Sequence, residues 1–93
     1  MEKPWTIEKD RTEKVHSIKC WPKQFDAVFS GRKRYEVRKN DRDYRVGDIL
    51  NLREWDPKTG QYTGRSIAMR ISYMTEGGTF GLPKDICVLG LSL

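Results

Sequence analysis

Residues 48–55 and 65–74 read as two strands on either side of the turn-forming Asp56-Pro57-Lys58-Thr59-Gly60. In the second run Ile67, Met69, Ile71 and Tyr73 recur at every other position, the period of a half-buried strand. A Pro/Gly-containing connection this short returns the chain antiparallel to itself, so the two runs form a hairpin. That hairpin constrains everything else, because the other elements must supply the remaining walls of a sheet built around it.

The rest of the 93 residues reads in short pieces. Residues 1–14 are polar and of mixed charge. Their apolar residues Trp5 and Ile7 keep no period, so a flexible N-terminal arm is expected, with the folded domain covering 15–93. Residues 15–21 alternate as a strand with His16, Ile18 and Cys20 on one side. Pro22 stops that strand and suits the first position of a helix. Phe25, Val28 and Phe29 then follow at helical spacing before Gly31, predicting about two turns. Residues 34–38 make another strand, with Arg34, Glu36 and Arg38 on one face and Tyr35 and Val37 on the other; Tyr35 is expected in the core. Residues 39–43 form a polar turn, 77–83 a flexible loop and 86–93 a buried strand. Five short strands with one early helix predict a mainly β (α+β) domain, a small and mostly antiparallel barrel with the helix plugging one end.

Charge narrows the function. Residues 1–45 hold thirteen Lys/Arg against eight Asp/Glu, whereas 46–93 hold five of each, so the entire net charge of +5 lies in the first half. A one-sided basic excess points to a polyanionic partner. No apolar run approaches the roughly 20 residues of a spanning helix, and the start carries no apolar signal region, so a cytoplasmic protein without membrane contact is expected. His16 is the single histidine, and Cys20 and Cys87 lie in apolar runs. No metal, no cofactor and no disulfide are expected, and a monomer is favoured.

His16-Ser17-Ile18-Lys19, Trp21-Pro22 opening a helix, the run Gly31-Arg32-Lys33-Arg34-Tyr35-Glu36-Val37-Arg38, then Asn40-Asp41-Arg42 and Val46-Gly47-Asp48-Ile49-Leu50, together resemble the ASCH domain of the PUA-like superfamily. Small stand-alone bacterial and phage proteins are the nearest branch in pattern. The resemblance covers residues 15–93 and implies a PUA-like barrel with a cleft, beside the helix and the strand after Gly31, in which relatives are thought to bind RNA or nucleotides. Lys19, Trp21, Lys33, Glu36, Arg38, Asn40 and Arg42 are the candidate binding residues. Arginine offers a planar fork and lysine a point charge to phosphate, Glu36 can accept from a base amino group, and Trp21, Tyr35 and Trp55 are candidate stacking rings.

Two other functions stay open. Some ASCH relatives hydrolyse the acetyl group of N4-acetylcytidine with Lys, Thr and Glu. The lysine position is Lys33 here, but the threonine position is Glu36, so an enzyme would rest on Lys33 and Glu36. Strand alternation sets those two on opposite faces unless Lys33 precedes the strand. The third reading is a protein-interaction factor.

Overall fold

A computed structural model describes residues 12–93; the expected arm at 1–14 falls mostly outside them. Within 12–14 the chain is tied down. The Lys14 carbonyl accepts from the Ile49 N–H, and Glu13 pairs with Arg70 at 2.8 Å. The elements are β1 (Val15–Cys20), α1 (Pro22–Phe29), β2 (Tyr35–Lys39), β3 (Ile49–Asp56), β4 (Gln61–Thr75) and β5 (Ile86–Ser92). They form one five-stranded sheet in the order β1-β3-β4-β5-β2, curled into a half-barrel around α1.

The hairpin is β3–β4, paired from Ile49 opposite Arg70 to Asp56 opposite Gln61 with a register shift between Arg53 and Trp55. Every pairing is antiparallel except β1 with β3, where Val15 lies opposite Ile49 and Cys20 opposite Glu54. The parallel pair makes the sheet mixed. Its cause is the connection between them, which carries α1 and β2 and is long enough to bring the chain back to the same end of the sheet.

Ile18 and Cys20 from β1, Phe25 and Val28 from α1, Leu50 and Leu52 from β3, Met69 and Ile71 from β4, and Cys87, Leu89 and Leu91 from β5 make the core, with Tyr44 closing one side. Both cysteines are buried free thiols. The alternation expected for β4 fails at Tyr73, which is exposed, while Met74 packs on the core. A bulge between Ile71 and Tyr73 adds one residue and reverses the side-chain parity beyond it. The 77–83 segment is a compact turn in which Gly78 N–H bonds the Leu82 carbonyl and Leu82 N–H bonds the Thr79 carbonyl. A Cβ on Gly77 would sit 2.4 Å from the Pro83 and Lys84 carbonyl oxygens, so only glycine fits where this loop closes on itself.

Candidate functional site

The half-barrel leaves a seam. β1 and β2 are the two edges of the sheet, and no backbone ladder joins them among the described residues. Side chains join them instead. The Arg38 Nη2 donates to the Lys19 carbonyl, and Arg42 Nη1 donates to the Ser17 carbonyl at 3.0 Å. Carbonyls two residues apart point the same way off a strand, so two guanidiniums occupy successive vacant acceptors of the β1 edge.

Charged residues on β2 face inward. Glu36 is 5% exposed, whereas Tyr35 and Val37 stand on the outside, each 49% exposed. The period-two reading of this strand holds, but its polar face is the buried one, and the expectation of Tyr35 in the core is corrected. What makes burial tolerable is pairing. The Glu36 carboxylate accepts from Lys33 Nζ at 3.2 Å and from Arg38 Nε at 2.9 Å, and Lys33 also donates to Gln24 Oε1 at 2.9 Å. Lys33 lies before the start of β2, and this brings its side chain round to Glu36. Two cations around one carboxylate leave a local charge of +1, and Arg42 adds another along the seam.

Three of the remaining candidates are placed differently. Lys19 contributes only its carbonyl to the seam, because its side chain projects from the outer face, 3.9 Å above the ring of Trp55. Trp21 is the residue before α1 and is 60% exposed. Asn40 is exposed, and its N–H bonds the Asp85 carbonyl, tying the end of β2 to the chain entering β5.

Sequence reasoning missed Gln24, whose position in the first turn of α1 aims it at Lys33, and it missed the buried carboxylates of Asp48 and Glu54. Asp48 is 1% exposed and accepts from His16 Nε2 at 2.8 Å and from the N–H groups of Lys14 and Arg45. Gly47 takes φ +97°, a conformation that favours glycine, so the Val-Gly-Asp turn delivers the carboxylate to that spot. The ring of His16 packs edge-on against Tyr44. Glu54, also buried, is bonded by Arg65 at 2.9 Å and Thr63 at 2.7 Å, and these bonds hold its carboxyl below the usual carboxylate range. Arg65 reaches Asp26 on α1 as well, so it is a strut of the fold.

Cys20 lies among these charges. Burial first, and then the Glu36 carboxylate, push its thiol up to about 11 from the ordinary 9. A raised folded-state value means the thiol's protonation favours the folded state below pH 9, a contribution lost as pH rises from 9 to 11. Two orders of magnitude less thiolate should make alkylation of native Cys20 by iodoacetamide at pH 8 about 100-fold slower than after unfolding, before any steric protection. Mass mapping of the modified peptide measures this, and equal rates would show that Cys20 is not buried as described. No group of metal-ligating side chains is assembled among the described residues, and none of their helices is long and apolar enough to cross a membrane.

With the seam and its charges placed, the comparisons with known proteins give the family. A model described as a domain of unknown function, DUF3850, matches residues 15–91. The chain belongs to the DUF3850 family. The match runs from the first residue of β1 nearly to the end of β5 and contains every candidate residue of the seam. The DUF3850 domain is also similar to the "Uncharacterized 12.9 kDa protein in GpA 3'region" of Escherichia phage P2, at 46% identity over 63 residues, 68% of this chain and 56% of the phage protein. The chain thus spans little more than half the length of that relative.

Proposed function

We propose that this DUF3850 domain is a binding module for RNA or a nucleotide, built on an ASCH-like, PUA-like half-barrel, with the β1–β2 seam as its phosphate site. The observation that carries this reading is the pair of guanidiniums held by strand carbonyls. Arg38 spends Nε on Glu36 and Nη2 on β1, and Arg42 spends Nη1 on β1. Arg38 Nη1 and Arg42 Nε and Nη2 have no partner among the described residues, so donors of fixed orientation remain for a phosphate. An immobilised guanidinium loses little side-chain entropy when the ligand arrives.

On this reading, affinity for single-stranded RNA falls with salt at about −0.7 per phosphate contacted, hence a slope of roughly −2 to −3 for three or four contacts. Arg38→Lys keeps the charge but loses the fork, and should weaken binding about tenfold or more, while Lys84→Ala, an exposed change in the loop before β5, leaves it unchanged. Arg65→Ala is a poor control, because it would strand Glu54. Fluorescence anisotropy across a salt series makes the test; a flat response, or equal loss in Arg38→Lys and Lys84→Ala, removes the seam as the site.

One observation favours a second reading. Lys33 Nζ meets the Glu36 carboxylate, which is the arrangement a hydrolase of a modified nucleoside would need for an oxyanion donor beside a general base. Incubation with N4-acetylcytidine decides between them. The binding module gives no product above the buffer rate, whereas turnover lost in both Lys33→Ala and Glu36→Gln would make this an enzyme.

A further inference from the structure

The outer face of β1, β3 and the start of β4 carries a second group of cations, arranged unlike those of the seam. Lys19 and Arg53 lie opposite each other in the parallel register. Each rests on a ring: Lys19 Nζ is 3.9 Å from the centroid of Trp55, and the Arg53 guanidinium is 3.7 Å from that of Tyr62. The two rings meet edge to face at 5.0 Å across the hairpin. Elsewhere the arginines of the strands are paired with carboxylates: Arg38 with Glu36, Arg65 with Glu54, Arg70 with Glu13. Lys19 and Arg53 form no ion pair among the described residues, so this face presents positive charge and aromatic surface together.

We infer that this face is a stacking platform for single-stranded RNA, a conclusion that rests on the RNA-binding reading above and makes the ligand an oligonucleotide in place of a lone nucleotide. Unpaired bases stack on aromatic rings while their phosphates meet nearby cations, and a rigid duplex cannot offer its base faces in this way. Continuity with the seam supports the path. The β1 carbonyls of Ser17 and Lys19 hold Arg42 and Arg38 on one flank of the strand, while the Lys19 side chain and its β3 neighbours Arg53 and Trp55 lie on the other. Neighbouring strands are only about 4.8 Å apart, so a strand whose phosphates lie on the seam crosses β1 onto the rings within a few nucleotides.

An ordinary role for the rings, packing to hold the hairpin end, predicts a loss of stability and nothing else on substitution. Trp55→Leu and Tyr62→Leu are therefore compared with wild type for anisotropy of fluorescein-labelled decauridylate and for competition by uridine monophosphate at one low ionic strength. Each ring substitution is expected to weaken decauridylate about tenfold while leaving the monophosphate within twofold. Lys19→Glu, an exposed change that spares the hairpin, should weaken decauridylate by a similar factor, and it keeps the test open if a ring variant fails to fold. Unchanged decauridylate affinity in Lys19→Glu and in the folded ring variants, with Arg38→Lys still impaired, overturns the platform and leaves the seam reading intact. Displacement of the RNA by decaglutamate equally well from wild type and ring variants makes the face a general anion surface and also overturns it. No decauridylate binding by wild type removes platform and seam together.

Discussion

Asp48→Ala is expected to cost about 3–5 kcal/mol, which for a domain of this size lowers the thermal midpoint by about 12 °C or more. The carboxylate is almost fully buried and bridges three parts of the chain: the His16 ring on β1, the Lys14 N–H just before β1, and the Arg45 N–H in the turn that leads into β3. Alanine takes the acceptor from the buried His16 ring and from two part-buried backbone N–H groups, and removes the bridge between β1 and the turn. Asp48→Asn keeps one carbonyl oxygen and should lose about half as much. Urea denaturation of the three proteins orders them; a midpoint for Asp48→Ala within experimental scatter of wild type would show that the bridge is dispensable.

Glu36→Gln is expected to move stability and binding in opposite directions. Lys33 and Arg38 are held together by the carboxylate, and its neutralisation leaves two cations side by side in a partly desolvated seam. The penalty is about 2–3 kcal/mol, below the range for a fully buried pair because both cations reach solvent. If the seam is the RNA site proposed above, the same change releases charge toward the ligand, so single-stranded RNA should bind more tightly at low salt, with a slope steeper by about 0.7. Thermal denaturation and the salt series are read on one preparation. A variant that is both less stable and weaker in binding at all salt concentrations would indicate that Glu36 touches the ligand itself.

Local periodicity carried the fold as far as its elements. The β3–β4 hairpin, the two-turn helix after Pro22 and the inward face of β1 are all set by side-chain spacing and turn chemistry, and each stands where those rules put it. Long-range partners were not readable. Nothing in residues 15–20 distinguishes a parallel neighbour from an antiparallel one, and one inserted residue at the β4 bulge was enough to send Tyr73 outward. In the candidate site, grouping Lys33, Glu36 and Arg38 anticipated real contacts, but the rule that apolar faces point inward failed for β2. There the interior is lined by ion pairs, and Tyr35 and Val37 are left outside. Lys19 was misplaced for a related reason. It shares a strand edge with the seam through its backbone, while its side chain obeys alternation and leaves on the far face.

The absence of a backbone ladder between β1 and β2 among the described residues has a kinetic meaning. β3 and β4 are adjacent in sequence and can zip from their turn, whereas β1 must find a partner 34 residues away and β2 one 47 to 55 residues away. Closing those larger loops is entropically dearer, so the hairpin is the natural nucleus and the two outer strands arrive late. Their mutual contact, made by arginine side chains, can form only after both have docked. Amide exchange should reflect that order, with protection greatest in the β3–β4 core and least along β1 and β2. The last region to assemble is then the first to open, and the same fluctuation takes away the β1 carbonyls that hold the Arg38 and Arg42 guanidiniums in place.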